Sequence, residues 1–246
     1  MEGETTTTTT PTKPMGTVNK IINIFASPRE AFVSIDEKPT WLVPYIIVII
    51  FVLFMLYMTM DIQASDRMSV MQARNMTDQQ IQAAQSQMQG PLKYIGFVVA
   101  PLGLLVVNLI IAGLLLFASN LMIGGQEVGY KKILSLLMWS GLVGILGILI
   151  TTFLAIQKGT MIGVSLDLSI LLPSLPPGES KTFLYYLLAR FDLFVFWQMI
   201  LWIIGLSVIY KTTIQKAVAP VLTLWAIWVI VSVGFGSLVG KFIPGM

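Results

Sequence analysis

The sequence predicts an all-α fold, an integral membrane bundle of five transmembrane helices with an N-terminal interfacial amphipathic helix. Three observations predict it. Of 246 residues, 56% are hydrophobic and only 11% are charged, whereas a soluble domain carries about 25% charged residues to face water. Mean hydropathy is +0.83. The charges also gather between five long apolar runs, each near the ~20 residues that a helix rising ~1.5 Å per residue needs to cross the hydrocarbon. In water such a chain would expose more contiguous apolar area than a monomer tolerates.

The first thirteen residues are a Thr run with scattered acids and prolines, with too little apolar surface to offset the entropy of ordering. Residues 1–17 therefore read as a disordered Thr-rich tail ahead of a transmembrane domain over 18–240. Over 18–36, Val18, Ile21, Ile22, Ile24, Phe25, Phe32, Val33 and Ile35 alternate with polar residues. Ser27-Pro28-Arg29-Glu30 reads as a helix start, with Ser27 as N-cap, Pro28 at the first helical position and Glu30 completing a capping box. Helices this short do not span. They are expected along the membrane surface or packed under the bundle.

The expected spans are 41–60, 94–122, 133–156, 191–210 and 217–240. No Lys, Arg or Glu interrupts any of them, and the one acid, Asp192, stands at an end. Lys13, Lys20, Arg29 and Lys38 lie in the N-terminal arm, and Lys131, Lys132, Lys211 and Lys216 in two tight turns. Arg67, Arg74, Lys93, Lys158, Lys181, Arg190 and Lys241 belong to the other side, diluted through long loops. Dense Lys and Arg mark the cytoplasmic side. A multi-pass cell-membrane protein with its N-terminus cytoplasmic and its C-terminus extracytoplasmic is the expectation. Of the outer loops, 61–89 is rich in Gln and Met, and Thr77-Asp78-Gln79-Gln80 is placed to cap a helix within it. The 157–182 loop carries Pro173, Pro176, Pro177 and Gly178 and reads as turns. The segment 181–190, with Phe183, Tyr185 and Tyr186, suits the membrane interface.

The side chains available for chemistry are few. With no Cys and no His, disulfides, thiolate metal sites and the commonest general base are excluded. Neither phosphate-binding glycine pattern occurs, and the net charge of +3 comes without a basic stripe that would point to nucleic acid. No enzyme and no cofactor is expected. Four methionines, Met68, Met71, Met76 and Met88, crowd one outer loop, but without Cys or His they read as apolar filler before they read as a copper site. Asn75-Met76-Thr77 is a glycosylation sequon on the expected outer side.

The candidate site residues are those a bilayer makes conspicuous. Asn108 lies mid-span, where an amide either glues helices together or lines a path for solute. Asp192 opens the fourth span, as a helix cap or as a charge facing a partner. Arg190, two residues away, does not share its helix face. Gly141, Gly144 and Gly147 recur every third residue, and Gly236 with Gly240 forms a small-xxx-small pair. Such glycines let backbones approach where lipid supplies no hydrophobic drive, within the bundle or between copies of the chain.

Several segments taken together resemble the Yip (Ypt/Rab-interacting protein) family of polytopic membrane proteins, in its shorter prokaryotic-type branch. Phe25-Ala26-Ser27-Pro28-Arg29-Glu30-Ala31-Phe32, followed by Pro39-Thr40-Trp41-Leu42-Val43-Pro44, is similar to that branch's N-terminal motif. Gly124-Gly125 with Tyr130-Lys131-Lys132-Ile133-Leu134 resembles its glycine turn. Arg190-Phe191-Asp192-Leu193-Phe194, then Trp197, Leu201 and Gly205-Leu206, resembles its fourth helix, and Lys216-Ala217 the start of its last span. The resemblance covers roughly residues 18–240. It implies five helices with the N-terminus inside, and it adds Trp197 to the candidate packing residues. For eukaryotic members it implies binding of Rab-type GTPases. The 61–89 loop departs from the compact members.

Two functions follow as expectations. The first is a non-catalytic membrane scaffold or accessory subunit, in contact with the lipid bilayer and with another membrane protein or a second copy of itself. The alternative is a small-solute transporter or channel, with Asn108, Asn120, Thr151 and Thr152 along a polar path. Midplane transport sites usually come with internal repeats, and none is apparent between the halves of this chain.

Overall fold

The structure is a computed structural model that describes residues 15–90 and 94–242, with the side chains of 87–89 and 239–242 outside that description. The expected Thr-rich tail lies almost wholly outside the described residues, and the first helix begins at Thr17. Among the described residues the chain forms α1 (Thr17–Ala26), α2 (Pro28–Glu37), α3 (Leu42–Ala73), α4 (Asp78–Gln89), α5 (Ile95–Met122), α6 (Tyr130–Ser140), α7 (Leu142–Lys158), α8 (Phe183–Leu188), α9 (Leu193–Ile209) and α10 (Ile214–Phe242). A short 3-10 turn, Leu168–Leu171, precedes α8.

Among the described residues, four helices are long and apolar enough to cross a membrane: α3, α5, α10 and the rod that α6 and α7 form together over Tyr130–Lys158. The apolar α9 has 17 residues, about 26 Å of helix against the ~30 Å of a hydrocarbon core.

Several expectations are revised. The stretch after residue 60 is not a loop, because α3 runs on to Ala73. Nothing between Asp61 and Arg74 breaks a helix, and the chain reverses only at Asn75, whose φ is +52°. Asn tolerates that left-handed geometry better than most residues. The capping box that starts α4 forms as the sequence suggests: Gln80 N–H donates to Thr77 Oγ1 at 3.4 Å, and Thr77 N–H to Gln80 Oε1 at 3.0 Å. The one expected at Ser27 does not. Pro28 does open α2, but Ser27 makes no side-chain cap bond. It closes α1 and starts α2 at once, and its backbone holds the corner: its N–H donates to Asn23 O, and its carbonyl accepts from Glu30 and Ala31 N–H. The third span is two helices with a break at Gly141.

The core centres on α6. Every residue from Ile133 to Ser140 is buried, enclosed by α2, α3, α5 and α9. Ser135 and Ser140 remain satisfied there by donating to the carbonyls of Lys131 and Leu136, one turn back, at 2.7 and 2.8 Å. Around α6 the other long helices form a shell. The apolar window of Tyr130–Lys158 is 56% buried, against 17% for α3, 11% for α5 and 17% for α10.

At the far end the extension of α3 organises the connecting loop. Thr160 Oγ1 and Met161 N–H donate to the two oxygens of the Asp66 carboxylate at 2.6 and 2.7 Å. Gly178, at φ +85°, lies so close to Ala73 and Arg74 that a Cβ there would sit within 3.4 Å of both. The proline-rich loop is thereby tied down.

Candidate functional site

The N-terminal hairpin of α1 and α2 is packed against the bundle. Met15 N–H donates to Ser34 Oγ at 3.1 Å, joining the start of the hairpin to the end of α2. Phe32, fully buried, reaches the junction of α6 and α9. There Gly205 leaves room for nothing: a Cβ would fall 2.1 Å from Leu136 Cδ1 and 3.2 Å from Phe32 Cδ1. Three helices meet at this glycine. Asp36, near the end of α2, forms an ion pair with Lys132 at the start of α6.

Lys20 is the unusual residue of the hairpin, because only 4% of it is exposed. Its Nζ donates to Ser34 O at 3.3 Å and stands 5.9 Å from the centroid of the Trp139 ring. The Trp139 indole in turn donates to Thr40 O at 2.7 Å. Burial lowers the Lys20 pKa from its ordinary 10.5, the positive charge of Lys38 lowers it further, and Glu37 opposes both. An ammonium that loses water and gains only a carbonyl and a ring is strained toward its neutral form.

The residues singled out in the sequence occupy separate places. Asn108 donates through Nδ2 to Leu104 O of its own helix at 2.8 Å. Asn120 accepts from the Tyr210 hydroxyl at 2.6 Å, tying α5 to the end of α9. Thr151 donates to the carbonyls of Gly147 and Ile148, and Thr152 is buried. Asn108 and Thr151 bond to their own helices and Asn120 ties two neighbours, so these three polar groups are engaged separately. Asp192 caps α9, its Oδ1 accepting from Phe194 and Val195 N–H at 2.7 and 3.0 Å. The Arg190 guanidinium lies 5.9 Å from the Trp228 ring centroid.

Among the glycines, Gly147 faces the Phe194 ring, which a Cβ would meet at 3.0 Å, and Gly236 faces the Tyr186 ring at 2.9 Å. Gly144 has open space around it, and Gly141 marks the break between α6 and α7. Gly240 lies in the final turns of α10, beyond the described side chains. Trp197 takes the Phe25 ring edge-on at 5.9 Å. In the sequence, Gly205 stands out only within the family motif and Lys20 only as one of the basic residues that mark the cytoplasmic side. The spacing of apolar residues does not report which helix a glycine faces.

The helices and their apolar exteriors define a multi-pass integral membrane protein. The chain matches the Yip1 domain over residues 22–236, a match that begins within the N-terminal hairpin and runs on into α10. It belongs to the Yip family of membrane proteins. No curated protein and no solved structure matches the chain.

Proposed function

We propose that this protein is a non-catalytic membrane scaffold or accessory subunit that binds another membrane protein, or a second copy of itself, through the outer faces of its helices. The observation that carries this reading is the contrast between the enclosed α6 and its shell, since α3, α5 and α10 bury few of their residues and leave large apolar side chains such as Ile50, Phe117 and Ile230 exposed. Lipid accepts such faces, and so does another helix, without the desolvation cost that polar faces would add. The polar side chains that would line a solute path are instead bonded locally, Asn108 to Leu104 and Thr151 to Gly147.

In this reading the chain spans the cell membrane five times, with α9 as the short fourth span and α1 as an interfacial helix. The N-terminus is cytoplasmic and the C-terminus extracytoplasmic, from the density of Lys and Arg at one set of helix ends. Capture of the full-length protein in mild detergent, after crosslinking in native membranes, tests the reading. A stoichiometric membrane-protein companion or a discrete homo-oligomer is the expected result. A protein that emerges alone and monomeric, and that carries solute flux in proteoliposomes, overturns it.

A further inference from the structure

On α1, Lys20 is buried beside Ile24, yet an apolar stripe is left uncovered: Val18 is 68% and Ile22 56% exposed, with Phe25 exposed beside them. Those three stand at i, i+4 and i+7, a single stripe along the helix. On α2, Arg29, Glu30 and Glu37 are exposed together with Val33, and Phe32 and Ile35 turn inward. The exposed charges of the hairpin thus lie on α2 and the apolar stripe on α1.

The geometry also places the apolar side beside a span. Phe25 meets Trp197 edge-on, and Trp197 lies between Leu193 and Ile200 at the same i, i+4, i+7 spacing. Both flanking residues are exposed, at 67% and 55%. The stripe on α1 therefore continues the apolar exterior of α9. Lys20, held by Ser34 O and the Trp139 ring, acts as a positioning residue that sets the roll of α1 and keeps the stripe outward.

We infer that Val18, Ile22 and Phe25 form a lipid-contact surface, seated among the acyl chains beside α9, while Arg29, Glu30 and Glu37 face away from those chains. The inference rests on α9 crossing the bilayer. Because the chain has no cysteine, single environment-sensitive fluorophores can be attached to the full-length protein at Val18→Cys, Ile22→Cys, Glu30→Cys, Glu37→Cys and Ile200→Cys. Each variant is reconstituted in phosphatidylcholine vesicles, with doxyl-labelled lipid as the membrane quencher and iodide as the aqueous one. Labels at 18, 22 and 200 are expected to be quenched several-fold more by doxyl lipid than those at 30 and 37, with iodide giving the opposite order. Labels at 18 and 22 open to iodide while 200 stays lipid-quenched would overturn the inference and leave the span of α9 standing. Protection of 18 and 22 from both quenchers overturns it too, because protein then covers the stripe. An Ile200 label open to iodide removes the span and the inference together.

Discussion

The α6 segment and α5 are built of the same apolar material and occupy opposite places. From Ile133 to Ser140 α6 is buried on every side, whereas α5 leaves Val98, Leu102, Ile110, Leu114 and Phe117 at least half exposed. In a soluble protein such a difference would show in the sequence as a polar face. Here the solvent is as apolar as the core, so both helices look alike. What separates them is shape: Gly205 and the hairpin residue Phe32 let α9 and α2 close around α6.

Substitutions at the junction break that comparison hardest. Gly205→Leu forces side-chain atoms into space held by Leu136 and Phe32, and loss of the monodisperse peak in detergent size-exclusion chromatography is expected. Leu136→Ala, at a fully buried position, should cost about 2–5 kcal/mol through its cavity, read as a lower thermal midpoint. Removing the α9 cap with Asp192→Ala leaves Phe194 and Val195 N–H without their side-chain acceptor and should cost about 1 kcal/mol. The same thermal measurement reports it.

Lys20→Met sharpens the comparison through pH. Because the folded pKa of Lys20 lies below its ordinary 10.5, the charged form costs stability throughout the range below the folded value. That cost fades as pH climbs toward the unfolded value. The variant should therefore melt higher than the wild type at pH 7, with a gain that shrinks in alkaline buffer. The lost bond to Ser34 O offsets part of it. A gain that grows with pH would contradict the burial argument. Phe117→Ala on the shell, at a residue 69% exposed, should move the midpoint by less than the equivalent of ~0.5 kcal/mol. A loss comparable to that of Leu136→Ala would show that the shell of α5 is not an exterior at all.

Much of this was legible in the chain. The long apolar runs near 41–60, 94–122, 133–156 and 217–240 mark the four long helices, because hydrocarbon demands a minimum length of uncharged helix. Thr77-Asp78-Gln79-Gln80 announced the cap of α4 because a capping box is local chemistry. The continuation of α3 to Ala73 was not read, since Gln, Ser and Ala are compatible with helix or loop, and only Asn75 carries the reversal. The bond from Asn108 to its own backbone was one of several outcomes the residue type allowed.

The solvent of this protein, its helical class and its family can be read from the chain, because charge density, run length and local motifs are properties of the chain alone. Which helix is enclosed, which glycine meets a neighbour and which way Lys20 points are set by packing in three dimensions. Those depend on side chains far apart in sequence, such as Phe32, Leu136 and Gly205, filling one space. In an apolar solvent no pattern of polarity records that meeting.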